Sequence, residues 1–162
     1  MTIQIDSREK ARAIQKILSA FDSAGVRHFI SKLYVGDYMN MDNPRTIIDR
    51  KQNLTELCAN VCQNHDRFRR ELLRAKDAGI QMIILCEHGK DIRQLEDVIF
   101  WKNPRGTKRV RTEHGWETQK TKAMTGETLY KILETISRKY DVRFVFCDKE
   151  HTGQKIMELL ND

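Results

Sequence analysis

Asp37 in Gly36-Asp37-Tyr38 and the triplet Asp49-Arg50-Lys51 place two carboxylates, a guanidinium and an ammonium close together in the chain. Two carboxylates can hold a hard divalent cation through oxygen. Such a cation polarises a phosphate and acidifies a water, while a lysine orients that water or meets developing negative charge. This is the chemistry of phosphodiester hydrolysis. For the groups to meet, the chain must fold back on itself. Tyr38 to Met41 reads as one strand, Asp42-Asn43-Pro44-Arg45 supplies turn residues, and Thr46 to Lys51 reads as a second strand. Side chains alternate along a strand, so Asp49 and Lys51 share one face and Arg50 takes the other. The hairpin then returns Asp37 beside them. The same residues also suit a solvated hairpin edge with a surface ion pair, and these residues alone do not separate the two readings.

The elements around the hairpin must hold it. A short alternating strand, Ile3-Gln4-Ile5, ends in Asp6-Ser7-Arg8-Glu9 and runs into a helix from Arg8 to Ala24. That helix has Ile14, Ile17, Leu18 and Phe21 on one face and Gly25 as its stop. A strand over Arg27 to Val35 leads into the Gly-Asp turn. Leu54 to Ala78 reads as helix, broken near Gln63-Asn64 and stopped by Gly79. An apolar strand from Ile80 to Glu87, a short helix from Ile92 to Phe100, a helix from Glu127 to Lys139, a strand from Val142 to Cys147 and a helix from Gly153 to Leu160 complete the series. Strands interleaved with helices, plus one hairpin near the start, give an α/β domain with a mixed central sheet. By position, Asp6 and Glu9 suit helix capping and dipole compensation. Glu87 ends a buried strand, where open sheets tend to place site residues; it is also suited to orient Lys51 or Arg8.

Trp101 to Lys122 differs in kind. It holds Lys102, Arg105, Lys108, Arg109, Arg111, Lys120 and Lys122 against Glu113 and Glu117, two tryptophans, and no sustained periodicity. A long loop of this sort in a compact domain is functional or disordered. As a functional element it is a basic arm that contacts phosphates and stacks Trp101 or Trp116 on an unpaired base; otherwise it is a solvated insert whose tryptophans cover the core. Arg67, Arg70 and Arg74 share a helical face by their spacing, with Arg69 off it. They form a second candidate surface for DNA or a solvated face.

Composition narrows the class. The 162 residues carry a net charge of +6, and the pI of about 9.2 favours an anionic partner. The length suits one domain over residues 1–162, with the basic insert at about 101–125. Met1 leads straight into a strand and no apolar run is long enough to span a bilayer, so a soluble, intracellular protein is expected, cytoplasmic if bacterial or phage and nuclear if eukaryotic. Cys58, Cys62, Cys86 and Cys147 have neither disulfide-framework nor zinc-ribbon spacing and are expected as reduced, packed thiols. The five histidines are scattered without ligand spacing.

Taken in order, Asp6-x-Arg8-Glu9, Gly36-Asp37, Asp49-Arg50-Lys51, the strand ending in Glu87 and the final Val145-Phe146-Cys147-Asp148 unit resemble the XPF-type structure-specific endonuclease domain, a branch of the PD-(D/E)xK superfamily. Its signature is Gly-Asp, a gap, Glu-Arg-Lys, three residues and Asp. Here Asp49 replaces the Glu and Thr55 occupies the final acid's position, with Glu56 one step later. The resemblance implies a restriction-endonuclease-like fold and a metal-dependent endonuclease for branched or flapped DNA. Asp37 and Asp49 would hold Mg²⁺ or Mn²⁺, Lys51 would serve the water or the phosphate, Arg50, Asp6, Glu9 and Arg8 would belong to the catalytic group, and Glu87 would support it. It further implies a homodimer through the nuclease domain. Because no helix-hairpin-helix module follows, DNA binding would fall to the insert, to dimerisation or to a partner protein, as in a compact phage or mobile-element enzyme. Two alternatives stand beside this reading. One is a catalytically silent binding or scaffolding member, whose mark would be loss of Asp37, Asp49 or Lys51. The other is a different nuclease of the superfamily, sequence-directed or acting on RNA.

Overall fold

The computed structural model describes residues 1–89 and 91–162. In chain order these form β1 (Thr2–Ile5), α1 (Ala11–Ser23), β2 (Arg27–Ile30), β3 (Tyr38–Asn40), β4 (Thr46–Lys51), α2 (Leu54–Cys62), α3 (His65–Asp77) and β5 (Gln81–Glu87). There follow β6 (Thr107–Thr112), β7 (Gly115–Lys120), α4 (Gly126–Tyr140), β8 (Arg143–Cys147) and α5 (Thr152–Asn161). Six strands make one mixed sheet in the order β2-β1-β3-β4-β5-β8, flanked by helices, while β6 and β7 pair only with each other. The pairs β1–β2, β4–β5 and β5–β8 are parallel. β3 is antiparallel to both of its neighbours. As a result β1, β4 and β5 end at the same edge of the sheet, and β3 begins there.

β4 and β5 are covered on both faces and therefore read as continuous apolar runs until their polar ends. Alternate residues feed two cores. Ile47, Met82, Ile84 and Cys86 pack with Leu54, Leu57, Phe68, Leu72, Leu129 and Leu133 of α2, α3 and α4. Ile48, Ile83 and Leu85 pack on the other side with Ile14, Ile17 and Phe21 of α1 and Ile156, Leu159 and Leu160 of α5. Each fully buried Leu or Ile contributes about 1.5–3 kcal/mol, which fixes the register of the central strands and with it the positions of the polar residues at their ends.

Several elements depart from the sequence expectation for identifiable reasons. α1 begins at Ala11 and not at Arg8, because Asp6, Arg8 and Glu9 are engaged in other contacts described below. β2 stops at Ile30; Leu33 and Val35 leave the strand to join the core beneath α2 and α3. The break at Gln63-Asn64 divides α2 from α3. Leu95–Phe100 forms a 3₁₀ turn where a short helix was expected. The segment read as aperiodic is a β-hairpin, each residue of β6 paired with one of β7. Both of its faces are largely solvated, so no apolar alternation marks it in the sequence. No helix among the described residues is long and apolar enough to cross a membrane.

Candidate active site

Gly36 opens the site. Its φ is +69°, and a Cβ there would lie 2.8 Å from Ile47 Cγ1, so both backbone angle and space demand glycine. The turn brings Asp37 between two strands. Its N–H donates to the Ile48 carbonyl (2.7 Å) and its carbonyl accepts from the Asp6 N–H (2.8 Å). The Asp37 carboxylate accepts the Arg50 N–H (2.8 Å).

On the α2–α3 side of the sheet, Lys51 donates to Asp49 Oδ1 at 2.8 Å. Both side chains are buried: Asp49 is 5 % and Lys51 7 % exposed. The Phe68 ring of α3 lies 5.8 Å from Lys51 Nζ. Burial pulls the lysine pKa down, but the neighbouring Asp49 charge and its hydrogen bond outweigh that, and the net direction is up. Lys51 is therefore an ammonium, a donor and a charge, and not a base. Asp37 is pushed well above the usual carboxylate range by burial first, then by Asp49 and Glu9, against the Arg50 N–H and Lys51, which pull it down.

On the opposite face Arg50 bridges two acids. Its Nε and Nη2 donate to Glu9 Oε2 at 3.1 and 2.7 Å, and Nη1 donates to Glu87 Oε1 at 3.0 Å. Tyr38 adds its hydroxyl to Glu9 at 3.1 Å. Burial favours losing the Arg50 proton, yet Tyr38, Glu9 and Glu87 together hold its pKa up. The Tyr38 phenol is also raised, by burial and then by Glu9, and stays a donor. Glu87 thus orients Arg50, and not Lys51 or Arg8. Asp6 is fully buried and accepts from Arg8 Nε and from the Leu33 N–H. Neither Asp6 nor Glu9 caps α1, whose N-cap is Lys10 without a side-chain bond; the capping reading gives way to these longer-range contacts.

A cavity of about 250 Å³ joins these groups, lined by Asp37, Asp49, Arg50, Lys51, Glu9 and Arg8 together with Glu56, Asn60, Asn64, Arg67, Phe68 and Glu71. Glu56, and not Thr55, reaches it. Glu56 Oε2 accepts the Gln52 N–H (2.8 Å), while its own N–H donates to Asn53 Oδ1 at the start of α2 (2.8 Å). Sequence reasoning missed Tyr38, Phe68, Asn60 and Asn64. Tyr38 adjoins Asp37, and Phe68 with Leu72 and Ala75 marks the inner face of α3 by helical spacing, so both left a signal; the asparagines left none.

The residues fit a hard divalent cation. Asp49 Oδ2 is buried with no hydrogen-bond partner, as is Glu87 Oε2, a state that costs about 1–3 kcal/mol unless a donor or cation meets it; of the two, Asp49 lines the cavity that Asp37 shares. No group of three or more His, Cys, Asp or Glu suited to a metal occurs among the described residues. Two carboxylates with water completing the shell match Mg²⁺, which takes only one or two from protein.

The candidate DNA contacts separate. Arg67 lines the candidate cavity and lies 3.8 Å from Glu71, and Arg70 is exposed on α3. Lys108, Arg109 and Arg111 are exposed along β6, and Arg105 lies in the 3₁₀ turn before it. Trp116 is 62 % exposed, whereas Trp101 is 8 % exposed and belongs to the core beside Val98 and Leu129. Trp101 therefore cannot stack on a base. Cys58 is buried and Cys62 exposed, with thiols 3.8 Å apart; burial and the Cys62 contact push Cys58 up to about 11. So the expectation of packed thiols fails for Cys62.

The family model described as the ERCC4 domain matches residues 5–159. Among solved structures the chain is similar to XPF from Aeropyrum pernix, with a TM-score of 0.66 and 18% identity, covering 99% of this chain and 64% of that one. It is also similar to the structure described as XPF from Aeropyrum pernix, complex with DNA, at a TM-score of 0.64 and 18% identity, covering 99% and 63% respectively. The chain thus spans less than two thirds of either. No curated protein matches it.

Proposed function

The chain belongs to the ERCC4-domain family, and from that premise we propose that it is an endonuclease hydrolysing phosphodiester bonds in branched or flapped DNA, with Mg²⁺ or Mn²⁺ held by Asp37 and Asp49. One observation carries the reading. The partnerless, buried Asp49 oxygen stands in a cleft beside the Lys51 ammonium and the buried Asp37 carboxyl. A cation bound there supplies charge at the phosphate and a more acidic water. Lys51, fixed by Asp49 and Phe68, presents protons to the attacking water or to charge developing on the phosphate. Arg50 uses its backbone N–H to orient Asp37 while its side chain ties β4 to Glu9 and Glu87, so its role is to position. Arg8 and Arg67, across the same cavity, offer cations to flanking phosphates. Arg70 and the basic hairpin extend that surface. A homodimer through this domain completes the proposal, checked by sedimentation over a range of concentrations.

The deciding experiment is a cleavage panel over single-stranded, duplex, 3′-flap, forked and four-way DNA with Mg²⁺ or Mn²⁺. Cleavage is expected on branched or flapped forms and none in EDTA. Asp49→Asn and Lys51→Ala should abolish cutting while leaving circular dichroism and DNA binding intact. Undiminished cutting in EDTA, or full activity in either variant, would overturn the assignment.

A further inference from the structure

The β6–β7 hairpin has two unlike faces. In an antiparallel pair, directly opposed residues project to the same side, and successive pairs alternate. The register Thr107↔Lys120, Arg109↔Thr118 and Arg111↔Trp116 therefore gathers Arg109, Arg111, Lys120 and Trp116 with two threonines on one face. All six of these residues are exposed. The alternate pairs put Lys108, Gln119, Val110, Glu117, Thr112 and Gly115 on the other, which carries one cation and one acid and where Val110 and Thr112 are half-buried. The sequence reading grouped Lys108 with Arg109 and Arg111 as equals. The register divides them.

We propose that the Arg109–Arg111–Trp116–Lys120 face is a platform for an unpaired DNA strand. Three cations and no acid on one face suit a polyanion, and an exposed indole among them suits a flat apolar partner within that polyanion. An unpaired polynucleotide offers both at once, because phosphates alternate with bases free to stack, whereas a duplex presents phosphates with its bases already stacked. The Arg109 guanidinium lies 5.6 Å from the Trp116 ring centroid, a cation–π contact that holds the indole and leaves its other side to a base. The hairpin is anchored at its root, where the Thr121 N–H donates to the Gly106 carbonyl (2.9 Å) and Asn103 Nδ2 to the Met124 carbonyl (2.9 Å). That root shares a cavity with Thr55, Cys58 and Cys62 of α2, the helix that directly follows Lys51. A strand held on the platform is thus tethered to the element bordering the cleft. The inference rests on the DNA reading above and names the part of a branched substrate the hairpin takes: its single-stranded arm.

The test titrates the full chain with oligodeoxythymidine in EDTA, so that binding is read without cleavage. Tryptophan fluorescence should be quenched, and Trp116→Phe should remove most of the response, since Trp101 is buried. Trp116→Ala should weaken binding about tenfold, within the range for one stacked base. Arg109→Gln and Arg111→Gln should each lower the salt slope by about 0.7, the single-strand value per phosphate contact. Lys108→Gln, on the opposite face, should leave the slope unchanged. Equal losses from Lys108→Gln and Arg109→Gln, a blunt duplex bound as tightly as the single strand, or an unaltered quench in Trp116→Phe would each overturn the proposal. Oligouridine bound more tightly than oligodeoxythymidine would overturn its assignment to DNA. Asp49→Asn protein should quench as the parent does, so failure at the platform and failure of the nuclease reading give different results.

Discussion

At the scale of the residue, the candidate cleft holds Asp37 under electrostatic tension. Its carboxyl is raised by burial and by Asp49 and Glu9, so the folded state binds that proton more tightly than the unfolded chain does. Stability from this group is then complete below the unfolded value of about 3.9 and is lost as pH climbs toward the raised folded value. In chelator, Asp37→Asn should unfold at a higher urea concentration than the parent at neutral pH, and the gap should close under acidic conditions. Urea titrations across pH check this; equal midpoints at neutral pH would mean that the carboxylate is not strained. The same variant should lose cleavage, a trade of activity for stability of the kind active sites commonly show. Residue type and spacing made Asp37, Asp49 and Lys51 legible in the sequence, because strand alternation is a local rule. The partner of Glu87 was not legible, since its meeting with Arg50 depends on the register between β4 and β5.

Among the elements, the turn before β3 is the narrowest constraint. Gly36 combines a left-handed backbone with close approach of β4. Gly36→Ala should cost about 1–3 kcal/mol, seen as a lower denaturation midpoint, by forcing a side chain into a conformation it rarely adopts. An unchanged midpoint would show that β4 yields easily. A different glycine, Gly126, sets the start of α4: a Cβ there would approach the Trp101 carbonyl to 2.6 Å. This packing sets Trp101, which follows the apolar run Val98-Ile99-Phe100, apart from Trp116, which sits between Gly115 and Glu117. Trp101 precedes the hairpin and closes the core under α4; Trp116 lies out on the hairpin itself. Both the core helices and the break between α2 and α3 could be read from apolar periodicity and local composition. The hairpin could not, since a ribbon solvated on both sides has no apolar stripe to reveal its period of two.

Across the whole molecule, the candidate metal site should couple to stability. Binding that favours the folded state contributes about 2.7 kcal/mol at a hundredfold excess over Kd, or roughly 5–10 °C in Tm for a chain of this size. Mg²⁺ or Mn²⁺ should raise the Tm of the parent and leave that of Asp49→Asn unmoved; equal shifts in both would place the cation elsewhere. The α/β architecture was readable from the succession of elements, and the reversed direction of β3 from the turn residues at positions 42–45. That reversal carries a further consequence. Asp6, Asp37, Asp49 and Glu87 stand in or directly beside four different strands, and they draw near one another because β3 starts where β1, β4 and β5 stop. No contiguous stretch of the chain contains the site. On the nuclease reading proposed above, a nascent polypeptide would gain its cleft only once Glu87 has been made and β5 has docked beside β4.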